Sequence, residues 1–362
     1  MINSLIIRLV YTMENKIILH ATDLDGFLLD SDKRHLEEID RMYEESIECF
    51  RLLENERTKE VEDRLVKVSR DIGHKLDDIT KENDRIHVYS FDTPDEMHGN
   101  ASRIIAKLRD PKTDHEEFLY YIQRAYEILF AQVYAQDGIK RKRSRIDRTP
   151  VTYPCQNYSV HMLPDCDELV HNSVMCVMLR GALLPSMIIS KEAQDYSSDD
   201  CITPFALFKI KRDEKKGEKD MDYVMDLDKS FYNLEDLDGK DLIFADPMNA
   251  TGGSLVTVVK YLKDNGVKPK SIKFINVISA LKGALRITRA LPEAEVYTLW
   301  MDPVLNEKAY ILPGLGDAGD RLNGKDSDEN PRNMIQLIAD YGQNIVNLYR
   351  DQVMEIEKTV LG

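Results

Sequence analysis

The stretch that decides the fold, Asp246–Ser254, reads Asp-Pro-Met-Asn-Ala-Thr-Gly-Gly-Ser. It follows the apolar run Leu242–Ala245 and leads into a helix-like segment, so its two glycines lie where a strand turns into a helix. Adjacent glycines let consecutive backbone N–H groups converge on one anion, and the start of the helix contributes partial positive charge. The hydroxyls of Thr251 and Ser254 add further donors. This first glycine loop therefore indicates a phosphate site.

Better-known phosphate motifs do not fit the first glycine loop. A P-loop needs Lys before Ser or Thr, and the dinucleotide fingerprint needs three spaced glycines. The remaining interpretation is a binding site for a phosphorylated sugar, with an acidic residue ahead of the glycines. Asp246 lies at the carboxyl end of the strand, where α/β sheets place their ligands and where a carboxylate accepts hydrogen bonds from sugar hydroxyls. Taken alone, two glycines after a strand are also consistent with a simple tight turn.

A second glycine loop, Tyr310–Arg321, reads Tyr-Ile-Leu-Pro-Gly-Leu-Gly-Asp-Ala-Gly-Asp-Arg. Its glycines and acids make it too irregular for a helix or a strand. Such a loop exposes backbone N–H and C=O groups, which can read the alternating donor and acceptor edge of a pyrimidine, and the missing side chains let a base approach closely. A purely structural loop is the alternative interpretation of this stretch alone.

Together the two loops closely resemble those of uracil phosphoribosyltransferases, whose signatures are Asp-Pro-Met-Leu-Ala-Thr-Gly-Gly-Ser and Tyr-Ile-x-Pro-Gly-Leu-Gly-Asp-Ala-Gly-Asp. The second signature matches at every fixed position, and in the first only Asn249 departs, where the family usually has Leu. Between the loops, Asp302–Asn306 is similar to the family's Asp-x-x-Leu-Asn segment. The likeness runs from about residue 100 to about residue 325.

Two further elements match the family more loosely. Met178–Ala182 resembles its Ile-Leu-Arg-Ala-Gly turn, which binds diphosphate, but with Gly and Ala exchanged, and Lys211–Glu214 resembles Tyr-Arg-Asn-Glu. Because a guanidinium presents a fork of donors that matches oxyanion geometry, Arg180 and Arg212 are expected to contact the diphosphate. A surface arginine on a turn is the alternative for Arg180. The polar run Lys215–Lys219 is consistent with either a mobile active-site flap or a solvated loop.

The resemblance implies transfer of a phosphoribosyl group from 5-phosphoribosyl 1-diphosphate (PRPP) to uracil N1, with release of diphosphate and inversion at the sugar carbon. Catalysis would then depend on positioning and electrostatics. The implied catalytic residues are Asp317, Arg180 and Asp246, with Asp317 orienting N1 or stabilising positive charge on the sugar. The implied PRPP-binding residues are Arg180, Arg212, Asp246, Pro247, Met248, Asn249, Ala250, Thr251, Gly252, Gly253, Ser254 and Asp317. The implied uracil-binding residues are Ile311, Gly316, Asp317 and Ala318.

Mg²⁺ is the cofactor that the resemblance implies. A hard cation held mainly by the substrate diphosphate and water needs few protein ligands, so no dedicated metal ligand is expected in the chain. A backbone pocket for uracil should reject cytosine, because its amino group would meet donors where uracil presents an oxygen.

Two rival functions stay open. One is a phosphoribosyltransferase for another base. Two features count against it: the chain has Asp246-Pro247 in place of the paired acids common in the purine enzymes, and its second glycine loop is intact. The other is a non-catalytic sensor of nucleotides or PRPP on the same fold, which Asn249 and the altered Arg180 turn make conceivable.

Composition is typical of a globular chain. Its 362 residues are 43% apolar, and 64 acidic against 49 basic residues give a net charge of −15, which argues against a nucleic-acid partner. The basic run Lys140–Arg145 is expected to be a solvated hairpin or a contact to an acidic neighbouring subunit. Five cysteines without a Cys-x-x-Cys pair favour reduced thiols and a cytoplasmic location. No run approaches the roughly 20 apolar residues of a membrane span. We expect a homodimer or homotetramer.

The chain is expected to have three parts: a mainly helical extension over 1–95, a uracil phosphoribosyltransferase-like domain over 96–325, and a C-terminal helix over 326–362. Apolar residues at three-four spacing predict two helices within the first part, while an ordinary strand is expected to begin at Lys16. Strands alternating with helices predict an α/β type I phosphoribosyltransferase fold, a mainly parallel sheet flanked by helices with a small hood. The strand candidates are Val174–Leu179, Phe205–Ile210, Lys240–Ala245, Ile272–Ile278 and Glu295–Met301.

One weaker motif lies in the extension. Asp23-Leu24-Asp25-Gly26 resembles the Asp-x-Asp-Gly-Thr loop of haloacid-dehalogenase-like phosphatases. Phe27 replaces the Thr, and the following helices leave no βαβ units to complete that fold. Asp23 and Asp25 are therefore interpreted as turn formers.

Overall fold

The computed structural model describes residues 9–12, 14–135, 142–152, 157–324 and 352–361. Within these residues ten strands form one sheet in the order β1-β2-β8-β7-β6-β9-β11-β12-β3, with β10 paired to β11. A hairpin of β4 and β5 and a short pair of β13 and β14 stand apart. The strands are β1 Val10–Tyr11, β2 Lys16–His20, β3 Ile86–Val88, β4 Lys142–Arg148, β5 Tyr158–Pro164, β6 Ser173–Leu179, β7 Phe205–Arg212, β8 Asp222–Phe231, β9 Asp241–Ala245, β10 Met248–Asn249, β11 Ser271–Ala280, β12 Ala294–Asp302, β13 Val304–Leu305 and β14 Ile311–Leu312.

Helices flank this sheet. One group consists of α6 packed on α5 and α8, and another of α9 packed on α10. The helices are α1 Ala21–Asp25, α2 Asp30–Asn55, α3 Lys59–Lys81, α4 Tyr89–Asp92, α5 Asp95–Arg109, α6 His115–Phe130, α7 Asp167–His171, α8 Leu183–Tyr196, α9 Gly253–Asp264, α10 Leu281–Ala290, α11 Ala318–Asn323 and α12 over residues 352–361.

The sheet is mainly parallel, as predicted. Strands β3, β6, β7, β9, β10, β11 and β12 pair in parallel, and every residue of β6 is buried, as expected for a strand covered on both faces. The edge formed by β1, β2 and β8 is antiparallel. All five predicted strands are present, at bounds that differ by a residue or two, and β8 was not predicted.

The N-terminal region is more closely joined to the sheet than a separate extension would be. The predicted helical pair is confirmed as α2 and α3, which pack against each other. Strand β2, which begins at Lys16 as predicted, pairs with β8, and β3 pairs with β12 at the opposite edge. The division of the chain into three parts stays a prediction.

Three further expectations concern the periphery. The basic run is partly described: Lys142–Arg145 lies in the β4–β5 hairpin, as predicted, where Arg143 donates to the carbonyl oxygens of Tyr196 and Ser197. Of the predicted C-terminal helix, residues 352–361 are helical and 326–351 lie outside the described residues. No helix in the described ranges is both long and apolar enough to cross a membrane.

Candidate active site

The first glycine loop is closed to side chains by its neighbours. Gly252 has φ +75°, and a Cβ added there would lie 2.8 Å from Ile287 Cγ1 and 2.9 Å from the carbonyl oxygen of Gly283. A Cβ on Gly253 would lie 2.1 Å from the ring of Tyr223. Only glycine fits at either position, because close packing excludes a side chain at both and Gly252 also has a left-handed conformation. The loop is thereby fixed between α10 and β8.

This loop leads directly into α9, which begins at Gly253. Consecutive N–H groups at a helix start form a ready site for an anion. Thr251 is 3% exposed, whereas Ala250 and Ser254 are half-buried. The loop therefore has the strand-to-helix geometry that the sequence predicted.

Asn249, the position that departs from the family signature, is buried in β10. Its Nδ2 donates to Ser279 Oγ at 2.9 Å, across to β11. Its Oδ1 accepts no hydrogen bond in the described part of the chain. The side chain thus ties the first glycine loop to the neighbouring strand, while one of its polar atoms stays unsatisfied.

Hydrogen bonds shape the second glycine loop. Gly314, at φ +64°, would place a Cβ 2.3 Å from the carbonyl oxygen of Ile311, and its N–H donates to Asp302 Oδ2 at 3.1 Å. Asp302 is fully buried and paired with Arg109. Burial raises the pKa of Asp302, and the charge of Arg109 opposes that rise. The acid of the predicted Asp-x-x-Leu-Asn segment therefore supports the loop from inside the protein.

The residues expected to face uracil divide into buried and exposed ones. Ile311 is buried in β14, and Ala318 is buried at the start of α11. Gly316 and Asp317 are exposed. Asp317 Oδ1 accepts from the N–H of Asp320 at 2.9 Å and so caps α11. The exposed part of the loop presents a carboxylate and glycine backbone to the solvent.

Arg180 lies against the second glycine loop. Its Nη1 donates to the carbonyl oxygen of Gly324 and its Nη2 to Asp320 Oδ1, both at 3.2 Å. A Cβ on Gly181 would lie 3.6 Å from Gly319 Cα, so the two backbones approach closely. The Arg180 turn is therefore part of the site and not a remote surface turn.

Arg212 reaches the same region from the end of β7. Its Nη1 donates to the carbonyl oxygen of Ala309 at 2.9 Å, and its guanidinium lies 5.6 Å from the centre of the Tyr310 ring. The run Lys215–Lys219 that follows was interpreted as a flap or a solvated loop. Within it Glu218 is buried, and its N–H donates to the carbonyl oxygen of Glu307 at 2.7 Å. Glu218 is therefore anchored, and the alternatives of a mobile flap and a solvated loop stay predictions.

Asp246 connects these parts electrostatically. Its Oδ1 accepts from the N–H of Met248 at 3.1 Å. Burial raises the pKa of Asp246 to about 7; the Met248 hydrogen bond and the charge of Arg212 oppose this, while the charge of Asp317 adds to it. The first glycine loop follows β9, and Arg180, which contacts the second glycine loop, follows the neighbouring parallel strand β6. Both loops therefore lie at the carboxyl edge of the sheet, and the region between them is called the cleft. Sequence reasoning missed Tyr126, which is buried on α6 and whose pKa the charge of Asp246 raises further.

Fold and cleft together define the class of type I phosphoribosyltransferases. The family model described as "Uracil phosphoribosyltransferase" matches residues 199–324. The uracil phosphoribosyltransferase of Campylobacter concisus is 33% identical over 218 residues, which is 59% of this chain and 89% of the relative. The chain belongs to the uracil phosphoribosyltransferase family, a family of pentosyltransferase enzymes.

Other relatives match over a shorter span. The uracil phosphoribosyltransferase of Campylobacter curvus is 54% identical over 80 residues, which is 22% of this chain and 38% of the relative. That of Dictyoglomus turgidum is 47% identical over 90 residues, 25% of this chain and 42% of the relative. Among solved structures, the AQ2163 protein from Aquifex aeolicus is similar, with a TM-score of 0.43 and 23% identity over 63% of this chain and 95% of that one.

Proposed function

We propose that the chain transfers the phosphoribosyl group of PRPP to uracil, giving UMP and diphosphate. One observation supports this most directly: the first glycine loop follows β9, and Arg180, which contacts Asp320 of the second glycine loop, follows the neighbouring parallel strand β6, so both loops lie at one edge of the sheet. Because UMP carries its phosphate and its base at the two ends of one ribose, an enzyme that makes it needs two such sites side by side.

The first glycine loop would hold the 5′-phosphate through backbone N–H groups of Ala250 to Ser254 and the start of α9. Asp246 would accept hydrogen bonds from the ribose hydroxyls. Arg180 follows β6 and Arg212 ends β7, and they donate to Asp320 and to the carbonyl oxygen of Ala309. Both would donate to the leaving diphosphate, whose several charged oxygens match the fork of guanidinium donors better than one carboxylate or carbonyl oxygen does.

The second glycine loop would read uracil through main-chain groups at Ile311, Gly316 and Ala318. Uracil N1 forms the new bond to the sugar C1 while the bond from C1 to the diphosphate oxygen breaks, and the N1 proton is lost to a base or to water. Asp317 is exposed at the edge of this pocket. Its carboxylate would orient N1 or stabilise the positive charge that develops on the sugar.

Mg²⁺ fits the donors of the cleft. The carboxylates of Asp246 and Asp317 repel each other there, and hard oxygen donors suit this ion. The ion would be held mainly by the substrate diphosphate and water, with these two acids near it, and when bound it would neutralise charge on the leaving diphosphate. We also propose a cytoplasmic homo-oligomer; its size, dimer or tetramer, is open to measurement in solution.

The experiment is a radiolabelled-uracil assay of UMP formation with purified protein, PRPP and Mg²⁺. We expect UMP to form, and unlabelled guanine or hypoxanthine in excess to leave the rate unchanged. Competition by a purine would reassign the base. Binding of PRPP without UMP formation would favour the sensor, and no binding of PRPP would reject the proposal.

A further inference from the structure

The N-terminal residues reach the first glycine loop through α10. Two arginines of this helix, Arg286 and Arg289, are each held by a carboxylate from the N-terminal region. Arg286 Nε donates to Asp25 Oδ1 at 3.0 Å, and Arg289 donates through Nε and Nη2 to the two oxygens of Asp32, both at 2.9 Å. Arg286 and Asp32 are buried, so solvent screens these pairs little. The interpretation of Asp25 as a turn former was wrong: it ends α1 and binds an arginine 261 residues away.

Further charges complete this cluster. Glu218, from the turn between β7 and β8, contacts Arg286 Nη2 at 3.0 Å and Lys282 Nζ at 2.9 Å. Lys282 also lies 4.0 Å from Asp25. The cluster of Asp25, Glu218, Lys282 and Arg286 therefore joins α1, α10 and the β7–β8 turn at one point.

The same helix supports the loop directly. Its Ile287 and Gly283 leave no room for a Cβ at Gly252, at 2.8 and 2.9 Å. A Cβ on Gly283 would in turn lie 2.6 Å from the carbonyl oxygen of Ala250. Helix α10 and the first glycine loop therefore interlock, and a shift of the helix by a fraction of an ångström must move the loop.

The opposite support of the loop is also tied to the N-terminal region. Tyr223 of β8 packs on Gly253, and the first half of β8, Asp222–Asp226, pairs with β2. The chain continues from β2 into α1, where the N–H of Ala21 donates to the carbonyl oxygen of Met221 at 2.8 Å. Both elements that enclose the first glycine loop are thus held by residues 16–32.

We infer that Asp25 is a positioning residue for phosphoribosyl binding, acting through Arg286 and α10 on the first glycine loop. This inference rests on the proposed function, because it assigns PRPP to that loop. It also gives the N-terminal region a role at the site: residues 16–32 complete the support of the phosphate pocket, whereas the second glycine loop is held separately by Asp302 and Arg109.

The test compares Asp25→Asn with Asp23→Asn in the full-length protein. Asp23 lies on the same short helix and forms no ion pair within the described residues, so its variant is the matched control. Asp25→Asn is expected to raise KM for PRPP about tenfold with kcat and KM for uracil within about twofold, because a displaced loop loses binding to the phosphate and not to the base. Asp23→Asn is expected to match the wild type.

Calorimetric binding of PRPP with Mg²⁺ separates this inference from the function. If the wild-type protein binds PRPP but forms no UMP, the proposed function is rejected. The effect of Asp25→Asn would then be measured as a change in the Kd for PRPP. Equal Kd and equal KM for PRPP in Asp25→Asn and wild type, with only a lower melting temperature, would overturn the inference and show a purely structural ion pair.

A second variant keeps the inference testable if Asp25→Asn does not fold. If Asp25→Asn does not fold, Lys282→Gln, which removes a partly exposed member of the same cluster, should give the same selective rise in KM for PRPP. An unchanged KM for PRPP in that folded variant would overturn the inference.

Discussion

The two glycine loops are held in different ways. In the first, Gly252 and Gly253 are buried between side chains, and an added Cβ meets Ile287 or Tyr223 below 3 Å. In the second, Gly316 has a similar positive φ, +78°, but is exposed, and the nearest atom to its added Cβ is 3.7 Å away. The first loop is fixed by shape at both of its glycines, whereas the second is packed as closely only at Gly314, whose N–H also donates to Asp302.

This difference suits the two groups that we propose they bind. A phosphate is held by several converging N–H groups, so a loop that binds it must keep its backbone within a narrow geometry. A base pocket must instead discriminate between ring edges, and exposed backbone and a free carboxylate supply the donors and acceptors. Substitutions in the first loop should therefore lower activity by displacing the backbone, and substitutions in the second by removing a donor, an acceptor or a charge.

The largest effect is expected from Gly252→Ala. The new Cβ clashes with α10 and forces a left-handed conformation on Ala, so kcat/KM for PRPP should fall at least about a hundredfold, as a displacement near 1 Å can cause. The control is Gly239→Ala, at φ +68° with nothing within 4 Å of an added Cβ. It should lower the free energy of unfolding by roughly 1 kcal/mol and leave kcat/KM unchanged. Equal activity in the two variants would show that packing does not fix the first loop.

Asp317→Asn tests the chemical half of the comparison. Asn caps a helix as well as Asp, so α11 and the melting temperature should be preserved. Loss of the negative charge should lower kcat about thirtyfold, equivalent to roughly 2 kcal/mol of transition-state stabilisation, with little change in KM for PRPP. Steady-state kinetics and a thermal melt measure both quantities. Full activity in Asp317→Asn would remove this residue from the mechanism.

The pH dependence sharpens the role of Asp246, whose pKa burial raises to about 7. If the ionised carboxylate binds the ribose, kcat/KM for PRPP should rise about tenfold between pH 6 and pH 8, as one ionisation at 7 gives, because kcat/KM reports groups of the free enzyme. In Asp246→Asn this rise should disappear, leaving only the ionisation of the substrate phosphate. The same profile in both proteins would contradict the assignment.

The free energy of unfolding should also depend on the ionisation of Asp246, and the direction of that dependence can be worked out. The pKa of Asp246 in the folded state is raised above that of an unfolded Asp, about 3.9. Between the two values the folded state binds more protons, so the contribution of this group to the free energy of unfolding falls as pH rises from about 4 to about 7. Denaturant titrations should show this slope in the wild type and not in Asp246→Asn.

The smallest effect is expected from Asn249→Leu, which restores the family signature. It removes the bond to Ser279 but also removes a buried oxygen that has no partner among the described residues. Ser279 Oγ loses this donor but keeps its hydrogen bond to the carbonyl oxygen of Ala280, and removal of the unsatisfied oxygen offsets the loss. The free energy of unfolding should therefore change by less than about 1 kcal/mol and kcat/KM by less than about threefold. A loss above tenfold would mean that Asn249 takes part in binding PRPP.

The sequence predicted what depends on local chemistry. Both glycine loops and the strand β9 ahead of the first were identified because glycine pairs, turns and apolar runs are local signals. The expectation that the second loop holds no helix or strand was wrong, because β14 and the start of α11 lie within it. The parallel sheet followed from the alternation of strands and helices. The buried strands needed no long-range information, since β6 and β9 are apolar after their first residues, Ser173 and Asp241.

What escaped prediction depends on distant partners. The pairing of β2 with β8 and the Asp25–Arg286 contact join residues more than 200 positions apart, and no local pattern marks them. Likewise Asp302 was identified only by its place in the Asp-x-x-Leu-Asn motif. Its hydrogen bond to Gly314 and its ion pair with Arg109 are visible only in the folded chain. The partners of a buried charge come from distant parts of the chain, and a single sequence does not show which residues they are.

The most direct test of the central claim is a crystal structure of the protein with UMP. The account predicts the phosphate within hydrogen-bond distance of the backbone N–H groups of Ala250–Ser254, and the pyrimidine against the main chain of Ile311–Ala318. A UMP molecule whose phosphate and base both lie against one loop, or outside the cleft, would contradict it.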